Sequence, residues 1–340
     1  MTRTSTQVTP DLLLMQMVMG FRMTQLLHVA AKLNIADQLA GGSKSARELA
    51  KSCGCNADAL YRTLRALSNL GVLVELGQER FRLTPLGEHL RAGVPGSLHG
   101  AALLYGEPWL WNAYGHLLHS VQTGKPAFEH THGSSFFDYL SEQPDAAEVF
   151  NAAMTSFSEQ ETAALLRAYD FSNVRHVLDV GGGHGRLAAA LLRAHPNLRA
   201  TLFDRPQVVS GASELQEAEG LGARCTIVAG NFFEAVPAGA DVYLLKSVIH
   251  DWDDDKATQI LKRCREAMAP ESRLLVVERV VGDPGEVSEA KLFDINMLTM
   301  LGGRERTQFE HQALLATAGL RLTRLISTQS PLTVLEAMQI

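Results

Sequence analysis

HVLDVGGGHGRLAAALLRAHPNLRATLFD, residues 176–204, decides the fold. A five-residue run breaks into a cluster of glycines, a helical pattern begins at about Arg186, and a second apolar run ends on Asp204. Five residues are too few for a helix and glycines supply a tight turn, so the stretch reads as strand, turn, helix and strand. The alternation continues through CTIVAG, DVYLLKS, a helix from about Asp254 and RLLVVERV. Strands alternating with helices imply a parallel, doubly wound α/β sheet, whose ligands bind at the carboxyl ends of the strands.

Chemistry is therefore expected where each strand stops. Gly181, Gly183 and Gly185 let the backbone turn tightly and approach a ligand, with the next helix N-terminus aimed at it. Asp204, about 20 residues on, can accept hydrogen bonds from a ribose diol. An adenosine-containing ligand follows from the pair. Two readings of the loop stay open on residues alone. Gly183, Gly185 and Ala188 satisfy the G-x-G-x-x-A form of an NAD-dependent dehydrogenase. Read from Gly181, the loop is G-x-G-x-G preceded by Asp179, the form used by S-adenosylmethionine-dependent methyltransferases.

A later strand ends in LLKSVIHDWDDD, residues 244–255. A histidine at a strand end is more often a satisfied structural residue than a catalyst, but His250 falls at the ligand edge of the sheet. Asp253, Asp254 and Asp255 open a helix and suit its positive end. Adjacent acids on one helical turn diverge around the axis, which argues against a cation site. Asp251 is expected to anchor the loop carrying His250.

The amino-terminal half has a different pattern. An apolar stripe from Asp11 to about Leu39 includes Leu13, Met17, Phe21 and Leu27 at helical spacing, more apolar than a lone surface helix needs. Burial against a second subunit would explain it, as would an ordinary core. Ser45 with Glu48 forms a capping box, Asn56 caps a second helix with Leu60, Leu64 and Leu67 on one face, and VLVEL and RFRLT read as a hairpin. Helix, turn, helix and wing raise a DNA-binding regulator as an alternative. Arg62 and Arg65 are too few for the dense basic stripe that phosphate contacts require.

The 340 residues can bury more than one domain's core, and 46% hydrophobic with 20% charged residues argues against extensive disorder. A net charge of -6 gives no general attraction to nucleic acid or anionic membranes. The opening MTRTSTQVTPD lacks a signal-peptide core, and no apolar run approaches the roughly 18 residues of a membrane span, so a cytoplasmic protein is expected. Four cysteines make no disulfide framework, and Cys53 and Cys55 lack a partner pair at zinc spacing. His119, His130 and His132 fall around an apparent loop and receive no role.

VLDVGGGHG, LFDRPQVV, GNFFEAVP, YLLKSVIHDWDDDKATQILKRCREAM, LLVVERV and GGRERTQFE occur in one order along the chain. That ordered set resembles the small-molecule O-methyltransferases of the plant caffeate and flavonoid type, whose bacterial relatives act on polyketide and phenazine-like aromatics. The resemblance implies a Rossmann-like class I methyltransferase sheet with a mostly helical, winged-helix-like dimerisation domain. The residue patterns divide the chain into residues 1–95, a helical connector at 96–170, and an α/β domain at 171–340, which the resemblance implies binds S-adenosylmethionine. The resemblance also implies a homodimer through the N-terminal helices, with the two domains enclosing a small aromatic substrate.

The site residues follow from the same resemblance. His250 matches the general base, with Glu278 and Glu305 as the acids beside it. Asp179, Gly181 and Gly183 belong to the cofactor loop, Asp204 matches the ribose ligand, Lys246 a lysine near the cofactor, and Asn231 with Phe232 the pair that meets the adenine. Two departures stand out: Asn231 replaces the usual aspartate and contributes no charge, and Ser247 replaces the tryptophan of plant members. Met154, Phe157, Met297 and Met300 are candidate pocket walls, although a helical Met stripe is more often core. S-adenosylmethionine is the expected cofactor, S-adenosylhomocysteine the product, and no metal is expected.

The expected mechanism is physical. A neutral phenol is a poor nucleophile at pH 7, so transfer requires alignment and removal of one proton. An unperturbed histidine, with a pKa of about 6.5, is largely neutral at pH 7 and can accept it. A carboxylate on the other ring nitrogen, Glu305 or Glu278, fixes the tautomer. Transfer to nitrogen remains the alternative within this reading.

Overall fold

The computed structural model of the chain describes residues 9–209, 212 and 220–340. They form two compact units, Met1–Asn112 with Gln143–Ser156, and Ala113–Glu142 with Phe157–Ile340. The stretch 96–170, read from sequence as one connector, supplies chain to both, and the helix Pro144–Ala168 passes from one into the other.

In the first unit the local signals act as expected. The Ser45 side chain accepts from the Glu48 backbone N–H and Glu48 returns the bond, which starts the helix Ala46–Cys53. Gly54, in the left-handed conformation, ends that helix, and Asn56 caps Ala57–Asn69. Strands β1 (Lys44–Ser45), β2 (Leu73–Leu76) and β3 (Arg80–Leu83) pair in the order β1-β3-β2. Leu49, Leu64, Leu67 and Phe81 fill the core beneath them.

The expected N-terminal apolar stripe is broken at Met19–Gly20 into helices Pro10–Val18 and Phe21–Lys32. The first buries none of its residues, and Leu13, Met17 and Phe21 are exposed. An open apolar face of this kind marks an interaction surface. No single helix among the described residues is long and apolar enough to cross a membrane.

The second unit is built on β4 (His176–Val180), β5 (Arg199–Asp204), β6 (Cys225–Ala229), β7 (Val242–Lys246), β8 (Arg273–Val281), β9 (Arg306–Thr307), β10 (Leu320–Ser327) and β11 (Leu332–Gln339). They are ordered β10-β11-β8-β7-β4-β5-β6, with β9 paired to the end of β8. Pairs β4–β5, β5–β6, β4–β7 and β7–β8 are parallel, whereas β11 runs antiparallel to both neighbours. Both faces are covered: Val177, Leu202, Leu244 and Leu275 enter one core, and the alternating Leu178, Phe203, Leu245 and Val276 enter the other. Continuous apolar strands are what such double burial demands.

The order reverses between β4 and β7. The carboxyl ends of these two strands therefore diverge into helices on opposite sides and open a crevice, which the loops after β4, β5 and β7 line. The segment read from sequence as a loop around His119, His130 and His132 instead forms helices Leu117–Thr123 and Ala127–His132. There the His119 and His130 rings stack at 4.1 Å.

Leu245 is fully buried in the second core. Leu245→Ala is expected to lower unfolding free energy by about 2–5 kcal/mol. A urea titration would show this as a lower midpoint with an unchanged slope.

Candidate active site

At the end of β4 the chain turns through Gly181 and Gly183, at φ of 71° and 61°. Side chains rarely adopt such values. Gly182 has another reason to be glycine, because a Cβ there would lie 2.5 Å from Asp179 Cγ and from Leu202 Cδ1. The Gly183 N–H donates to Asp204 Oδ2 at 2.9 Å and the Arg205 N–H to Oδ1 at 2.7 Å. Each carboxylate oxygen keeps a second lone pair, so the half-buried Asp204 can still receive two hydroxyls of a diol. Asp179 is buried with Oδ2 unpartnered, and burial, opposed by Lys246 and reinforced by Asp204, pushes its pKa up to about 7.

Asn231 and Phe232 follow β6. The Asn231 amide is engaged locally, donating to Glu234 Oε1 and accepting from the Phe233 N–H. It holds its own turn, and each atom keeps one further donor or acceptor position. The Phe232 ring reaches toward Gly181, 3.6 Å from where a Cβ would stand. Lys246 Nζ bonds Glu161 Oε2 at 2.7 Å, and Arg279 also approaches Glu161, at 3.6 Å. Glu161 lies 85 residues from Lys246, and no local pattern announces it.

After β7 the chain passes through Ser247, at φ 54°, into a short 3₁₀ turn, Ile249–Asp251. Glu278, fully buried in β8, accepts through one oxygen from the N–H groups of Val248 (3.0 Å), Ile249 (2.8 Å) and His250 (3.4 Å). His250 Nδ1 lies 2.7 Å from Glu305 Oε1 and 3.4 Å from Glu278 Oε2. An ionised carboxylate can only accept, so Nδ1 carries the proton of the short bond. Of the two acids, Glu305 makes the shorter bond to the ring, and Glu278 holds the backbone that carries it.

Residues 303–306 close over this turn. A Cβ on Gly303 would stand 2.0 Å from the His250 carbonyl oxygen, so only glycine fits. The Arg304 N–H donates to that same oxygen. Arg306, fully buried, donates to the carbonyls of Ile249 and Trp252 and to Asp254 Oδ1. Asp294 accepts the Glu305 N–H at 2.7 Å, and Phe293 stacks on His250 at 6.0 Å. Gly303 and Arg306 lie within the GGRERT stretch, where sequence reasoning singled out Glu305 alone. As expected, Asp253 caps the helix Asp254–Ala267 through the Lys256 N–H.

The electrostatics differ from expectation. His250 is not an ordinary imidazole, largely neutral at pH 7. Burial disfavours its charged form, but Glu278, Asp251 and Glu305 together outweigh burial and raise its pKa to about 10. Burial also raises Glu278, and Asp251 to about 7. His250, Asp251 and Glu278 thus shift one another's proton affinity. His250, Glu278 and Glu305 bring ligand-type atoms within 4.8 Å of one another, a spacing that could hold a cation.

The candidate pocket walls divide. Met297 and Met300 are buried on the helix Glu289–Met300, Phe157 is half-buried, and Met154 is exposed on the part of its helix that belongs to the first unit.

An O-methyltransferase domain matches residues 114–321, and an O-methyltransferase dimerisation domain matches residues 15–92. The chain belongs to the S-adenosylmethionine-dependent O-methyltransferase family. It is 42% identical to the phenazine O-methyltransferase PhzM of Lysobacter antibioticus over 328 residues, 96% of each chain. The crystal structure of LaPhzM superposes with a TM-score of 0.93 at 42% identity, covering 98% of this chain and all of that one. The neocarzinostatin-biosynthesis O-methyltransferase NcsB1, solved with S-adenosylmethionine and 2-hydroxy-5-methyl naphthoic acid, gives a TM-score of 0.80 at 35% identity, covering 94% and 96%. The loop after β4 therefore reads from Gly181 as a methyltransferase loop and not as that of a dehydrogenase. In this methyltransferase the exposed N-terminal helices fall where the dimerisation domain begins.

Glu305→Gln removes the anion that most closely stabilises the His250 imidazolium, so the ring should lose its proton at lower pH. Imidazole ¹⁵N shifts followed against pH should place the midpoint about one unit or more below that of the wild type.

Proposed function

We propose that this enzyme methylates an aromatic hydroxyl of a small fused-ring secondary metabolite, phenazine- or polyketide-like, with His250 as the general base. The observation that carries the reading is the 2.7 Å bond from His250 Nδ1 to the buried Glu305, which leaves Nε2 as the nitrogen available to an acceptor. The aromatic substrates of the related enzymes, a phenazine and a naphthoate, support the substrate class. The exposed apolar face of Pro10–Val18 supports a homodimer formed through the N-terminal helices.

The site suits S-adenosylmethionine on its own chemistry. The Gly181–Gly183 turn leaves room for close approach, Asp204 has acceptor capacity for a ribose diol, and Phe232 offers a flat apolar wall near the turn. Asp179 and Lys246 complete the charged surroundings, and Asn231 acts on the cofactor indirectly, by shaping the turn that carries Phe232. When bound, S-adenosylmethionine supplies a sulfonium methyl for in-line displacement and a positive charge that opposes the imidazolium. His250 Nε2 takes the acceptor's hydroxyl proton as the oxygen becomes nucleophilic. Glu305 stabilises the imidazolium so formed, while Glu278 and Arg306 keep the turn from moving. Orientation of the acceptor is worth up to about 7–11 kcal/mol of barrier, more than proton removal alone supplies.

Glu278 Oε1 and Glu305 Oε1 are engaged by N–H donors, whereas the other oxygen of each carboxylate is buried without a hydrogen-bond partner, so metal dependence is decided by experiment. Activity on hydroxynaphthoates or hydroxyphenazines should survive prolonged treatment with EDTA; its loss, with recovery on adding magnesium, would contradict the metal-free mechanism. His250→Ala should lower kcat about 100- to 10,000-fold while leaving S-adenosylhomocysteine affinity by calorimetry within a few fold. Products carrying the new methyl only on nitrogen would overturn the hydroxyl assignment.

A further inference from the structure

Methyl transfer from a sulfonium to a hydroxyl releases one proton per turnover. The methyl carbon's bond to sulfur breaks with its electron pair staying on sulfur, the new bond to oxygen forms, and the hydroxyl proton arrives on His250. There it is enclosed, because the side chains of Glu278 and Glu305 are fully buried and His250 is 8% exposed. Glu305 occupies Nδ1, so the proton added at Nε2 has to leave from Nε2 before the base can act again.

Asp251 Oδ1 lies 3.4 Å from Nε2, and its side chain is 19% exposed, the most open of the carboxylates around the ring. The sequence suggested that Asp251 anchors the loop. Glu278, Arg304 and Arg306 perform that task, and among the described residues the Asp251 carboxylate accepts no backbone N–H. We propose that Asp251 is the proton exit of the active site, accepting the Nε2 proton after each transfer and releasing it to solvent. The inference rests on His250 being the base.

The groups facing Asp251 suit a carboxylate that both takes and gives a proton. Burial raises its pKa, His250 opposes the rise, and Glu278 from β8 and Glu305 from the segment before β9 add to it, leaving it at about 7. A fully solvated aspartate would ionise too readily to take a proton from the imidazolium, and one as enclosed as Glu278 could not hand it on. The basic groups around this turn are engaged elsewhere: Lys246 pairs with Glu161, Lys256 lies over the Trp252 ring, Arg304 pairs with Glu310, and Arg306 with Asp254.

The test is a single turnover with full-length enzyme in excess over a hydroxyphenazine or hydroxynaphthoate acceptor. Product is followed by rapid quench, and the proton by an indicator dye in weak buffer. In the wild type the two should coincide. In Asp251→Asn the first product should form within a few fold of the wild-type rate, whereas proton release lags by about tenfold or more and steady-state turnover falls with it. Added imidazole buffer should restore turnover in Asp251→Asn, and Asp251→Glu should restore both signals. Coincident product and proton in Asp251→Asn would overturn the exit role, as would loss of the first turnover itself. A His250→Ala enzyme that keeps its single-turnover rate would instead overturn the base on which the inference rests.

Discussion

The active site depends on a buried carboxylate that collects the backbone of one turn. Where the chain leaves β7, the N–H groups of residues 248–250 point into the protein, away from water and outside any ladder. Glu278 accepts from all three. Leaving one such buried donor unmet costs about 1–3 kcal/mol, so this carboxylate largely determines whether the turn exists. On its other polar side, the carbonyls of Ile249, His250 and Trp252 are taken by Arg306 and the Arg304 N–H. With both rows of backbone groups satisfied from outside the turn, His250 is held without relying on its own side chain.

That arrangement concentrates negative charge around one ring. Three carboxylates surround His250, and without it they would repel one another in a medium that screens little. The imidazole is therefore the centre of a mutual balance: burial favours its neutral form, the carboxylates its charged one, and the carboxylates win in the free chain. A positive charge held close to the ring would favour its neutral form. In the proposed mechanism the base becomes fully competent when the methyl donor is present.

The fold was legible because parallel strands buried on both faces must be apolar throughout, and because glycine is needed where the first strand turns. The placement of Asp204 and His250 at strand ends was legible for the same reason, since a doubly wound sheet puts those ends along one edge. The two halves of the Glu278 and Glu305 division of labour were not separable in sequence, because their difference lies in which atoms of a distant turn they reach. Glu161 and Asp294 escaped notice because each acts through one long-range bond without a local pattern. The histidine's raised pKa is not legible in sequence, because an isolated ring's value says nothing of three carboxylates gathered by tertiary structure. The part Asn231 plays in its own turn, through Glu234 and the Phe233 N–H, is set by three-dimensional contacts that its replacement of an aspartate does not announce.

The claim at the centre of this account is that a proton leaves the acceptor's hydroxyl for Nε2 of His250. A crystal structure of the enzyme with S-adenosylhomocysteine and a hydroxyphenazine or hydroxynaphthoate acceptor tests it most directly. The account predicts the acceptor oxygen within about 2.6–3.2 Å of Nε2, with Nδ1 still bonded to Glu305. An acceptor whose oxygen meets another side chain, with Nε2 facing neither the oxygen nor a water bonded to it, would contradict it.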